Sequence, residues 1–75
     1  MVEGIEMNNQ ILQRALLEAD ELLNKGYWCV IRSFYSVTMD VGPINHRGER
    51  GRHTSTRSYY ITEEGMVATV THVHN

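Results

Sequence analysis

Cysteine, proline, tryptophan and phenylalanine each occur once in this 75-residue chain. A lone cysteine, Cys29, excludes an intrachain disulfide. A single thiol fits a reducing compartment, so a cytoplasmic location is expected. No apolar run approaches the roughly 20 residues that a membrane-spanning helix needs, and no membrane contact is expected. The opening MVEGIEMNNQ has no basic segment followed by an apolar one, so no secretory signal is expected. The chain is read as one domain, 1–75, with a thin core that buries roughly 60% of the unfolded surface. Residues 1–7 are expected to add little to it, with Met7 as an alternative start.

The signatures of catalysis are also missing. There is no GxGxxG and no GxxxxGK[ST] to cradle phosphates. Serine, histidine and aspartate occur without the context of a triad. No pair of carboxylates lies in an apolar setting that would raise one of them. Cys29 alternates with Ile31 on an apolar strand face, where a thiol is inert. The expectation is a protein that is not an enzyme and holds no cofactor.

What is present begins with a helix. From Asn9 to Lys25 the apolar residues Ile11, Leu12, Ala15, Leu16, Ala19, Leu22 and Leu23 fall on one stripe at 3.6-residue spacing. Asn8 or Asn9 supplies an N-cap and Gly26 a left-handed C-terminal residue. Leu17 points away from the stripe. Tyr27 to Val41, YWCVIRSFYSVTMDV, is rich in aromatic and β-branched residues and reads as one long strand, bulged at Arg32–Ser33 and stopped by Gly42-Pro43. Its odd positions are apolar. Its even positions add a second apolar patch, Trp28, Val30 and Phe34, which one helix cannot cover. Tyr59 to Thr62 and Met66 to Val73 form a hairpin around Glu63-Glu64-Gly65. The expected fold is α+β: one N-terminal amphipathic helix on a three-stranded antiparallel sheet (α-β-β-β), with a long basic loop at 42–55 between strands 1 and 2.

That loop carries the functional signal. Residues 45–58, NHRGERGRHTSTRS, hold four arginines against one glutamate, a net of +3. The remaining three bases face eight acids, a net of −5. Segregated charge gives a small acidic protein one pole that attracts anions. Arg47, Arg50, Arg52 and Arg57 are the candidate anion or nucleic-acid contacts, with His46 and His53 as auxiliaries and Tyr59 or Tyr60 placed to stack on a base. The bland alternative is a mobile solvated connector. His72 and His74 share a strand face, and His53 or His46 supplies a third imidazole. Ligands so near the chain's last residues are poorly held, so no native metal site is expected.

The resulting expectation is a small binding protein or regulator whose basic loop engages nucleic acid, or a protein that handles it. The alternative is an inhibitor or adaptor that binds a protein through an apolar interface of Trp28, Val30, Phe34 and Leu17. A small metal-binding protein comes third. The uncovered Trp28 patch also predicts a homodimer, as a two-fold pairing would close it.

Overall fold

The computed structural model of the chain describes residues 2–33 and 35–74, with side chains described from Asn9 onward. One helix, α1 (Val2–Asn24), is followed by four strands, not three: β1 (Tyr27–Arg32), β2 (Thr38–Pro43), β3 (Ser55–Ile61) and β4 (Val67–Val73). They form a single antiparallel meander in the order β1-β2-β3-β4. The helix starts upstream of Asn8 and Asn9, so neither is its cap. What residues 1–7 contribute to packing lies outside the described side chains.

The expected long strand is folded in two. A 15-residue strand would run about 50 Å. Here the chain reverses between Arg32 and Thr38, and the two halves pair with each other, Cys29 opposite Val41 and Ile31 opposite Met39. Odd residues pair with odd, so the reversal keeps the alternation intact. Cys29, Ile31, Met39 and Val41 therefore share the face that meets the helix. The basic segment consequently connects β2 to β3, and the position expected for a bulge is where the first hairpin turns. β3 and β4 pair from Ser55–Val73 to Ile61–Val67, joined through Glu63-Glu64-Gly65 as expected. Gly65 takes φ +83°, and its N–H donates to Thr62 O. That conformation carries no steric cost for glycine.

The core lies between α1 and this one face of the sheet. Ile11, Ala15, Ala19 and Leu22 of the helix are buried against Val37, Met39, Val41 and Tyr59. Alanine at the centre of the stripe lets the helix approach the sheet closely. Leu16 and Leu23, expected in the core, are instead 59% and 54% exposed. They lie roughly 80–100° around the helix from Ala15. With small residues at the point of contact, the buried arc is too narrow to reach them. Leu17 is exposed, as its phase required.

Met39 is fully buried. Met39→Ala is expected to cost about 2–5 kcal/mol through reduced burial and a residual cavity. Leu16→Ala is expected to change stability by no more than about 0.5 kcal/mol. Urea unfolding followed by circular dichroism measures both; equal losses would place Leu16 back in the core.

Candidate functional site

The strand pairings fix what the other face of the sheet presents. Trp28, Val30, Thr38, Asp40, Gly42, Thr56, Ser58, Tyr60, Val70 and His72 alternate with the core positions and turn away from the helix. Among the described residues no second helix covers this face. Tyr60 and Val70 are exposed on it. Arg32 Nε donates to Asp40 Oδ2 at 3.1 Å, so the central acid has a counter-ion. Glu18, Asp20 and Glu21 belong to α1, on the opposite side of the sheet.

The segment from Ile44 to Thr54 is built rather than loose. Ile44 and Arg50 form an antiparallel bridge. Asn45 organises the tip: its Oδ1 accepts from the N–H of Arg47 and of Glu49, both at 2.9 Å, and its Nδ2 donates to Glu49 Oε1. Gly51 N–H donates to Pro43 O, and Thr54 N–H to Val41 O, which ties the base of the loop to β2. An asparagine closing its own turn is the Asx arrangement that the bare charge pattern does not reveal. The hydrogen bonding describes a small folded platform, unlike the mobile connector of the bland alternative.

Trp28 holds this platform against the sheet. Its indole lies over the backbone of Gly42, where an added Cβ would sit 2.5 Å from Trp28 Nε1. Trp28 Nε1–H donates to Gly51 O at 2.9 Å, and the Arg50 guanidinium carbon stands 4.8 Å from a ring centroid of the same indole. The tryptophan expected to require a second copy is half-buried by its own loop. That removes the argument for a homodimer through this patch. Val30 is half-buried, and Phe34 lies outside the described residues.

The expected anion-contacting residues divide into two groups. His46, Arg47, Arg50, Arg52 and His53 are exposed on the loop, and among the described residues none of these arginines makes an ion pair. Arg57 does not belong with them. It sits in β3 on the helix side, where its Nη1 donates to Glu18 Oε1 at 2.6 Å. Tyr59 Oη–H donates to the same oxygen at 2.6 Å. Burial lowers the Arg57 proton affinity, but the bonds to Glu18 and Tyr59 and the Glu18 charge outweigh it and hold the guanidinium above its ordinary range. Its Nε is buried without a partner. Arg57 is a structural cation between helix and sheet, and Tyr59 is buried with it, leaving Tyr60 as the tyrosine open to a ligand. Cys29 lies on the same side. Burial pushes its thiol up, and the Arg57 charge opposes this in part.

The histidines converge more than their spacing indicated. His53 and His74 have ring centres 4.6 Å apart, and His72 and His74 5.3 Å, both edge to face. They border a cleft of about 400 Å³ together with Arg52 and Thr54. His46 is elsewhere, at the loop tip. Among the described residues no group of three or more His, Cys, Asp or Glu side chains is arranged to hold a metal ion.

No protein-family model matches the chain, and no curated protein or solved structure is found similar to it.

Two measurements test this geometry. Gly42→Ala is expected to displace the indole, red-shifting Trp28 fluorescence and loosening the loop, seen as faster amide exchange at Gly51; unchanged emission would show that the indole does not rest there. Tyr59 provides the second. Burial first, then the Glu18 bond and charge, push its phenol well above the ordinary tyrosine range. An unfolded tyrosine ionises near pH 10. The folded state keeps this proton longer, so the stability Tyr59 contributes is complete below pH 10 and falls as pH rises further. Tyrosinate absorbance is expected to show one of the four tyrosines ionising only with unfolding, and Tyr59→Phe is expected to remove that late step.

Proposed function

We propose that this protein binds single-stranded nucleic acid along the uncovered face of its sheet, with the 44–54 loop as the clamp on phosphates. The reading rests on one observation. Three arginines with no ion-pair partner among the described residues stand on a hydrogen-bonded loop at one end of a sheet face that carries exposed Tyr60. Guanidinium forks suit phosphate oxygens. An exposed aromatic ring on an open sheet stacks on a base, worth about 1–3 kcal/mol per base in such proteins. Tyr60 lies five residue steps along β3 from Ser55, about 17 Å of strand, which leaves room for a short single strand between clamp and ring. Its role is that of a small non-catalytic binding protein or regulator, acting on nucleic acid or within a complex that handles it.

A second reading has its own observation. Leu16, Leu17 and Leu23 are all exposed on α1, an apolar surface suited to an inhibitor or adaptor that binds a protein. Salt separates the two readings, because phosphate contacts weaken steeply with salt and apolar contacts do not.

The test is fluorescence anisotropy with a labelled single-stranded oligonucleotide over a range of salt concentrations. Arg47→Ala combined with Arg52→Ala is expected to leave the fold intact and to reduce the salt slope by about one unit for each phosphate no longer neutralised. Arg50 is spared because it also covers Trp28. Tyr60→Ala is expected to weaken binding at every salt concentration. Equal binding by parent and double variant at all salts would reduce the loop to a solvated connector.

A further inference from the structure

A hydrogen-bonded chain runs across the uncovered face to the histidines. Arg32 Nε donates to Asp40 Oδ2, Thr56 Oγ1 donates to Asp40 Oδ1 at 3.0 Å, and Thr56 Oγ1 meets His74 Nε2 at 2.8 Å. The protons on this chain can be assigned. Thr56 Oγ1 has one hydrogen, and the carboxylate oxygen can only accept it. The contact to His74 therefore requires Nε2–H as donor and the threonine oxygen as acceptor. Nε2 of His74 is committed, and Nδ1 is the ring atom left free to change state. Unprotonated it accepts; protonated it donates. The main chain beneath the ring is anchored besides, since the backbone N–H of His74 donates to Thr54 O.

Around that ring stand His53 on the loop and His72 on β4, with Arg52 bordering the same cleft. Each neighbouring element contributes its own groups. The loop brings Arg52 and, further along, Arg50. β1 and β2 bring Arg32 and Asp40, already paired to each other. β3 brings only the uncharged Thr56, and β4 brings His72. The one acid reaching the cluster does so through Thr56 and is engaged by Arg32 on its other oxygen. Protonating imidazoles whose ring centres are about 5 Å apart gathers like charge next to a fixed guanidinium. An anion seated among them relieves that repulsion, so anion binding and proton uptake favour each other. A cation would face the reverse, being repelled by Arg52, and among the described residues no unpaired carboxylate borders the cleft to receive it.

We propose that the His53–His72–His74 cleft is a proton-gated phosphate site, which takes a phosphate group more tightly as the histidines gain protons. For a nucleic-acid strand this deepens the reading above and rests on it: the cleft would add a pH-dependent phosphate contact beside the constant ones of Arg47, Arg50 and Arg52. Histidine is the side chain whose charge changes between pH 5 and 8.

The experiment uses the whole chain, with inorganic phosphate and a single-stranded oligonucleotide as separate probes. Between pH 7.5 and 5.5 the affinity for the oligonucleotide is expected to rise at least about tenfold, the effect of one linked proton. His53→Gln, His72→Gln and His74→Gln together should abolish the rise, whatever affinity remains at pH 7.5, because glutamine can still donate to Thr56 but cannot gain charge. A rise that survives in this variant overturns the site. A parent whose oligonucleotide affinity does not change with pH also overturns it, and leaves the nucleic-acid reading standing. Should the triple variant fail to fold, ring-proton NMR of the unmodified protein decides. Inorganic phosphate is expected to shift the signals of all three histidines at pH 5.5 and to shift them little at pH 7.5. Signals that ignore phosphate but move with zinc would overturn the site in favour of a metal centre. Phosphate binding at low pH without oligonucleotide binding at any pH would sustain the site and end the nucleic-acid reading.

Discussion

One helix can bury only one face of a sheet, and the described chain has one helix for four strands. The rest of the architecture follows from this. The covered face takes nearly all the buried apolar residues: Met39, Val41 and Tyr59 from the sheet, and Ile11, Ala15, Ala19 and Leu22 from the helix. The other face must tolerate water. It does so with Thr38, Asp40, Thr56, Ser58 and the histidines, of which Asp40, Thr56 and His74 are hydrogen-bonded to one another along the sheet surface. Its one large apolar side chain near the loop, Trp28, is covered by Gly51 and Arg50 instead of by a second layer. The loop therefore has a structural task. It stands in for the helix that a larger α+β domain would place there.

Helix and sheet are joined by charge as well as by apolar contact. Glu18 Oε1 accepts from both Arg57 and Tyr59. Breaking a partly buried pair leaves an uncompensated charge, and the penalty for that exceeds the net worth of the pair itself. Arg57 makes the arrangement demanding, since its Nε has no acceptor. Such a group specifies one seating of the helix more than it stabilises the fold. An apolar contact of alanines could slide along the sheet; a carboxylate receiving two donors cannot.

Much of this is legible in the sequence at the level of pattern. The helix, the odd–even alternation from Tyr27 to Val41, the hairpin at Gly65 and the limits of the basic segment all come from local periodicity and turn chemistry. The turn between β1 and β2 is not, because the described residues there, Ser33, Tyr35, Ser36 and Val37, include none of the strong turn formers glycine, proline, asparagine or aspartate. Pairing an odd residue with an odd residue also disguises it, since the alternation reads the same through the reversal. Leu16 and Leu23 fall outside the core because a helical wheel gives direction but not the width of the contact, which the small side chains of Ala15 and Ala19 narrow. Arg57 looks like the last member of a basic cluster. Its partner Glu18 is 39 residues away in sequence, and no local signal connects them. The convergence of His53 with His72 and His74 is likewise a product of the β3–β4 register.

The ordered loop changes how binding at this site would work. A mobile arginine arm loses conformational entropy when it closes on a ligand, and that cost offsets part of the contact energy. Here Asn45, the Ile44–Arg50 bridge and the Trp28 hydrogen bond to Gly51 fix the backbone beforehand. Only the arginine side chains remain to be ordered. A fixed backbone also sets the spacing between guanidinium groups, so the loop can match one arrangement of phosphates better than another. The same fixation couples the loop to the sheet. Trp28 touches Gly42 of β2 and Gly51 of the loop at once, and His53 of the loop meets His74 beside the end of β4. A ligand that pulled on the loop would therefore act on β1, β2 and β4 together, because the loop and the uncovered sheet face are joined through these contacts.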